Sequence, residues 1–488
     1  MTLKARITAI DRFIKGCKED GIYDDLQAAC VMAGWDSLAG ALTPLKGAAP
    51  TNANFLNADL DRGIGLKGNG SSKYLDSNRN NNADGQDDAH RAVWVSNAAT
   101  STASGPATYP VYVGTGAFNG SDNVGRLQSN SNNFFHRSRS LTQTFTPGAA
   151  SVTGLLGTNR DSSSGYTLRI SGVDNAISVA SQTPLSSSLN VYKATADNIT
   201  YSNATIAFYS IGSATDLALL DARVSTLMAD LRAIEETGFD RDALAYIRAV
   251  EDADGAFLET SVKIAINNLV SGLKAESLWE SMASTCLLCG PRTLAGALVP
   301  LRGAAPTAYN FVSSDYNQET GLKDPDSQGY IRTNYSATND PQSDHHISTY
   351  ITEASALDRH TSGARYNGSP APLLASGYVT YSYTLNTYVG LGSGVPVGFY
   401  GMSRPNLSQV DWIRASSAKT TSTLAALPFE SAGNDHCVFR YMGQDNNPAG
   451  PASFDGRIAF YSFGRSLDVA SLGSRISQYV ADIAAAIP

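Results

Sequence analysis

The chain has 488 residues, a formal net charge of −8, 16% charged residues and five cysteines. That length exceeds what one ordinary hydrophobic core serves, and an acidic balance without any basic run or basic helix excludes the footprint of a nucleic-acid or anionic-membrane partner. The sparse, odd cysteine set is no disulfide framework, no stretch approaches the ~18 consecutive apolar residues of a spanning helix, and the opening MTLKARITAIDRFIKG is amphipathic rather than a secretory signal.

Taken in order, residues 5–34 align without a gap on 261–290, pairing Ile10 with Ile266, Ile14 with Val270, Tyr23 with Trp279, Leu26 with Met282 and Cys30 with Cys286. Apolar residues at three- and four-residue spacing, broken by Gly16 and Gly272, predict two short amphipathic helices joined by a turn in each copy. Next, LAGALTPLKGAAPT (38–51) returns as LAGALVPLRGAAPT (294–307), changed only at Thr43/Val299 and Lys46/Arg302. Short β-branched and aromatic runs follow, among them 71–77, 91–96, 110–116, 166–172, 176–181 and 189–194, separated by Gly, Asn, Asp, Ser and Pro. One pair reads as a hairpin closed at Val173–Asn175. The run IAFYSIG (206–212) returns as IAFYSFG (458–464), and each is followed by a helix that opens on Asp216 or Asp468. A further helical stretch, 239–261, precedes the second copy, where the first has only Met1 to Lys4 and looks trimmed.

Matches at both ends of a long segment mean that a whole unit is duplicated. The expected architecture is mostly β with helical segments. A helical segment (1–37) leads into an antiparallel β-sandwich or jelly roll with a closing helix (38–235). A helical connector (236–293) then leads into a second sandwich with its own closing helix (294–488).

Duplication also filters candidate chemistry, because residues serving a shared reaction recur in both copies. Gly63-Ile-Gly65-Leu-Lys-Gly68 has the letters of a dinucleotide fingerprint, but it enters a strand, and the second copy (Glu319-Thr-Gly321-Leu-Lys-Asp324) loses two of the three glycines, which predicts hairpin glycines. A sandwich glycosidase needs two carboxylates across the scissile bond. The first copy has no Glu between Glu19 and Glu235, Glu319, Glu353 and Glu430 are scattered in the second, and the shared pairs Asp59/Asp315 and Asp84/Asp340 lie in loops. The stretch SNRNNNADGQDDAH (77–90) aligns with 333–346. Asp76, Asn78, Asn82 and Asp84 have the oxygen chemistry to coordinate calcium or hydrogen-bond a sugar, whereas the plainer reading is a solvated turn. His90 and His346 align without a repeated nucleophile and read as strand-edge histidines. Asp252-Ala-Asp254-Gly255 lacks the Glu of a calcium loop, and Cys286-Leu-Leu-Cys289 lacks a redox fold, leaving Cys30 and Cys286 as buried thiols on a helical face. The sequon Asn198-Ile-Thr200 is unremarkable in so Asn- and Ser-rich a chain. No catalytic or cofactor-binding residue survives the filter.

The order of recurring segments, and GLKGNGSSKYLDSNRNNNAD (65–84) above all, resembles tailed-phage virion proteins that carry concanavalin A-like (laminin G-like) sandwich modules. The second copy departs there, reading GLKDPDSQGYIRTNYSATND (321–340). The resemblance implies a non-enzymatic structural component located in the virion: a head decoration, a neck or tail fibre, or a tail-tip appendage. Such a protein is made in the host cytoplasm and released by lysis. It implies other virion proteins as partners, a homo-oligomer (dimer or trimer) assembled through a helix face that includes Ile10, Ile14, Ile266 and Val270, and a host surface glycan as a further ligand. A carbohydrate-binding receptor module is the alternative reading, and a glycoside hydrolase the third. Because the surface loops differ more than the frames, the two halves are not expected to bind alike.

Overall fold

The run shared by both copies, IAFYS, becomes the middle of each unit. The computed structural model describes residues 3–100, 110–116, 122–127, 133–140, 144–147, 152–194, 201–324, 328–339, 341, 343–354, 359–366, 369–376, 396–423, 434–442, 448–449 and 454–487. Asp340, Glu430, the strand expected at 378–384 and the sequon at Asn198 lie outside these described residues. The chain divides into two compact units, Met1–Thr237 and Gly238–Pro488.

In the first unit the strand Thr205–Gly212 is buried along its whole length. Ile206, Tyr209 and Ile211 join the core between two sheets, while Ala207 and Phe208 join a second core under the helices. A strand covered on both faces reads as an apolar run rather than an alternation, which is why this segment is so apolar. Among the described residues its sheet has eight strands, ordered Val173–Ile177, Tyr166–Ile170, Gly154–Arg160, Ala89–Asn97, Thr205–Gly212, Gly65–Lys67 and Leu60–Asp61, with Leu26–Val31 also paired to Thr205–Gly212. The facing sheet has seven, ordered Thr144–Pro147, Asn133–Arg137, Asp122–Leu127, Val111–Thr115, Ser188–Val191, Tyr74–Asn80 and Thr51–Ala53. Leu75, Tyr112, Val113, Phe134 and Val191 from the second meet Val93, Val95, Leu156 and Ile206 from the first in one apolar cluster.

The second unit repeats the plan around Arg457–Gly464, with nine strands in one sheet and seven in the other among the described residues. Cross-strand pairs recur: Cys30 opposes Tyr209 as Cys286 opposes Tyr461. Each closing helix, Leu217–Glu235 and Val469–Ala486, is capped as its sequence predicts. Asp216 accepts from the backbone N–H of Ala218 at 2.8 Å, and Asp468 from that of Ala470 at 3.0 Å. The glycine of GAAPT is needed for close approach: at positive φ, a Cβ on Gly47 or Gly303 would lie 2.4 or 2.2 Å from the carbonyl oxygen of Gln27 or Ala283.

Two expectations are corrected. Segments 5–34 and 261–290 are not helical pairs. Each is one helix (Leu3–Glu19 or Thr260–Ala275), a turn through a left-handed residue (Gly21 or Ser277), and a strand (Leu26–Val31 or Met282–Leu287) laid along the central strand. Cys30 and Cys286 therefore sit on strands, not on a helical face. A six-residue apolar run has no period to distinguish a buried strand from two helical turns. The segment 236–293 holds a second helix, Arg241–Asp254, so only the second unit has two helices ahead of its first strand among the described residues. The hairpin also turns earlier than expected: Ser171 and Gly172, both at positive φ, form the two-residue loop, and Val173–Asn175 belong to the returning strand.

Phe208 and Phe460 are fully buried where the central strand meets the helices. Phe208→Ala or Phe460→Ala is expected to destabilise its unit by about 3–5 kcal/mol, measured by denaturant unfolding. A loss under about 1 kcal/mol would contradict two-sided burial of this strand.

Candidate functional site

The recurring histidines and aspartates described below hold the frame together. His90 lies in the strand Ala89–Asn97, fully buried. Its Nδ1 donates to the Ser213 carbonyl at 2.5 Å, and its Nε2 accepts from the Ser210 hydroxyl at 2.7 Å, a tautomer assigned from its partners. His346 makes the same pair of bonds to Arg465 (2.6 Å) and Ser462 (2.9 Å). Both histidines thus tie the start of one strand to the end of the central one. Asp59 and Asp315 accept the backbone N–H of Leu56 and Val312, at 2.7 and 2.8 Å, and so close matching turns. Glu353 pairs with Lys323 and Arg457.

The other sequence candidates resolve similarly. Gly65 and Gly321 are hairpin glycines at positive φ, packed against the central strand, with no helix following. Asp254 ends the helix Arg241–Asp254 and accepts from Arg292 N (2.7 Å) and from the N–H and hydroxyl of Thr293 (2.9 and 2.6 Å), clamping that helix to the next segment. All five cysteines are buried and free. Burial pushes Cys17, Cys286 and Cys289 to about 12 and Cys30 to about 11, so these thiols stay protonated at neutral pH.

The Asn/Asp loop spends several of its polar groups on its own frame. Asn78 sits in the left-handed region at φ 56° and its amide donates to the Ala49 carbonyl (2.7 Å) and the Thr51 hydroxyl (3.0 Å). Asn334, at φ 55°, does the same to Ala305 and Thr307. Asp76 accepts the N–H of Asn78 at 2.8 Å, and Asp84 is buried against Arg79. Asn82 stays exposed on the turn Asn81–Ala83.

Sequence reasoning missed the charged interior of the first unit. Asp122, fully buried, receives Asn81 Nδ2 at 2.6 Å and Arg139 N at 2.8 Å, and pairs with the buried Arg91 at 3.1 Å, while Arg91 also donates to Asn81 Oδ1 at 2.7 Å. The second unit has Ala337 and Ile347 at the positions of Asn81 and Arg91. The backbone bond is kept (Asn81 N to Ser187 O, 2.8 Å; Ala337 N to Asn434 O, 2.9 Å), but the polar pair is replaced by an apolar one.

One outward-facing cluster has the character of a binding surface. In the second unit the edge strand Thr307–Tyr309 pairs with Tyr330–Ser336, setting Tyr309 opposite Tyr330. Ile331 points into the core, so Tyr330 and Arg332 point out. The two tyrosine rings stack with centroids 4.5 Å apart and planes at 12°, and Tyr309 is 37% exposed. Beside them the Arg332 guanidinium meets Asp435 at 2.5 Å. Burial and the neighbouring Tyr309 hold the Tyr330 hydroxyl above its ordinary range, so this phenol stays a neutral donor at pH 7. The first unit has Ala53 and Asp76 where Tyr309 and Arg332 stand. Its surviving Tyr74 packs with Lys193, 4.9 Å from the ring, and Tyr201. Neither tyrosine stands out in the sequence, because their pairing depends on the strand register, which only the folded sheet supplies.

A cavity of about 510 Å³ in the first unit is lined by Asp25, Asp161, Asp174 and Asp216. Asp216 is occupied as a helix cap and Asp174 by Arg169. Among the described residues no group of three or more His, Cys, Asp or Glu side chains is placed to hold a metal, and no helix is long and apolar enough to cross a membrane.

No protein-family model matches the chain, and no curated protein does. Solved structures that align with it include the botulinum neurotoxin serotype D binding domain (7% identity, 94% of this chain and 96% of that one, TM-score 0.30). Others are domains LG4-5 of the mouse laminin alpha1 chain (10%, 78% and 84%, TM-score 0.19) and the Ruminococcus gnavus IT-sialidase CBM40 (11%, 30% and 83%, TM-score 0.19). At such identities and TM-scores these likenesses carry no argument about what this chain binds.

Two outcomes follow from the buried groups. Asp122→Ala leaves Arg91 and Arg139 buried without their carboxylate and is expected to destabilise the first unit by about 3–5 kcal/mol in urea unfolding; an unchanged midpoint would show the pair to be dispensable. Burial also lowers His90 and His136 to about 4. Below about pH 6.5 the unfolded chain then binds protons that the folded chain refuses, so stability is full above that pH and falls toward pH 4, by up to about 3 kcal/mol per histidine. Unfolding free energies at pH 7.5, 5.5 and 4.5 check this, with a flatter profile expected for His90→Gln.

Proposed function

We infer that the protein is a non-enzymatic surface component of a phage particle, and that its second unit binds a saccharide at the Tyr309–Tyr330 platform. The observation that carries the binding reading is this exposed, stacked aromatic pair on an edge strand, flanked by Arg332 and Asp435. An aromatic face accepts the apolar side of a sugar ring, while a guanidinium and a carboxylate held in place hydrogen-bond its hydroxyls. The recurring polar residues support a non-catalytic reading, because each recurring histidine and carboxylate described above has a structural partner. The virion reading rests on the resemblance of the repeated segments and on the duplicated frame, a form suited to rigid display. Other virion proteins, assembly as a dimer or trimer, and a host glycan as ligand belong to this same reading.

A carbohydrate array with wild type and Tyr309→Ala, run with calcium and with a chelator, tests the saccharide. Binding is expected to be independent of calcium and to fall at least about tenfold in the variant, the scale of losing one well-packed aromatic contact; Tyr74→Ala is expected to change nothing. A glycan bound equally by wild type and Tyr309→Ala would move the site elsewhere. Immunogold labelling of purified particles tests the location, and a chain absent from particles would remove the virion reading while leaving the array result standing.

A further inference from the structure

The two units differ in what covers the helix just ahead of their first strand. In the second unit the helix Arg241–Asp254 lies antiparallel along Thr260–Ala275. Asp240 and Asp242 meet Lys274 at 2.7 and 2.5 Å, Asp240 N donates to Asn267 Oδ1 at 2.7 Å, and Glu251 meets Lys263 at 3.0 Å. Between these anchors Ile266 and Val270 are fully buried in one core with Ala243, Tyr246, Ile247 and Val250. The corresponding positions on Leu3–Glu19 are Ile7, Ile10, Asp11, Ile14 and Lys18. There Ile7 is 53% exposed, Ile10 and Ile14 are only half-buried, and Lys18 is exposed. The neighbouring stripe of the same helix (Ala9, Phe13 and Cys17) is fully engaged with the sheet and the closing helix, and Ile10 and Ile14 pack only in part against that core, so with the exposed Ile7 they leave an apolar stripe beside it.

We propose that this stripe is a docking face for an amphipathic helix of a partner polypeptide, built on the pattern of Arg241–Asp254. The occupant lies antiparallel, with carboxylates in its first turn against Lys18 and aromatic and branched residues over Ile10 and Ile14. Where Glu251 meets Lys263 in the second unit, the occupant is apolar, because it meets Ile7. Charge complementarity at one end and apolar matching at the other set both its direction and its register.

Fluorescence anisotropy with the full chain and synthetic peptides spanning residues 239–256 tests this, using the native peptide and one carrying Glu251→Leu. The Glu251→Leu peptide is expected to bind at one per chain and at least tenfold more tightly than the native one. Ile10→Asp in the chain is expected to abolish binding, and Ile7→Lys to reverse the preference toward the native peptide. Failure of both peptides to bind, or binding that survives Ile10→Asp, would overturn the proposal. So would sedimentation showing that the chain alone dimerises through this face and that Ile10→Asp dissolves the dimer, since the occupant would then be a second copy.

Discussion

The central strand of each unit, Thr205–Gly212 or Arg457–Gly464, is covered on both faces, and most of what recurs between the copies follows from that. One face must fit the facing sheet and the other the helices, so neither set of side chains can drift without opening a cavity. The strand also collects the anchors of other segments. Ser210 and Ser462 hold the two buried histidines, Tyr209 and Tyr461 oppose the two strand cysteines, and the hairpin glycines Gly65 and Gly321 lie against its backbone. The duplicated runs of the sequence include this strand and, in GAAPT, a segment laid against its neighbour Leu26–Val31 or Met282–Leu287.

Within that frame the interior is free to change when it changes as a set. Asn81, Arg91 and Asp122 form a buried polar group in one unit, whereas Ala337 and Ile347 fill the matching positions in the other. A lone replacement would strand a charge or a polar atom away from water, while replacing both partners by apolar groups is close to neutral. The two copies show the polar and the apolar member of this exchange at positions 81/337 and 91/347.

The surfaces diverge more freely still, and function is expected where they do. Tyr309 and Arg332 replace Ala53 and Asp76 on the outer side of matching strands, while the inward neighbours Ile331 and Leu75 remain apolar and buried. The same holds on the helix just ahead of the first strand, where the exposed Ile7 stands at the position of Lys263, the partner of Glu251. One scaffold thus offers a different surface in each unit, in keeping with sites that are grafted onto folds rather than dictated by them.

The sequence by itself determined the duplication, the predominance of short strands, the closing helices with their Asp caps, and the structural role of the hairpin glycines. Each of these rests on local physics: turn chemistry, capping, or the period of apolar residues. It also named Asp76, Asn78, Asn82 and Asp84 as a group, but not that Asn78 and Asp84 are turned to backbone and to Arg79, since side-chain direction depends on partners distant in the chain. Only the tertiary structure decided that residues 26–31 and 282–287 are strands, because a short apolar run takes its form from the edge it lands on. The pairing of Tyr309 with Tyr330, the burial of Asp122 and the exposure of Ile7 beside the half-buried Ile10 and Ile14 were likewise decided there. All three are set by register and by which helix covers which face, and these are long-range choices that no local pattern encodes.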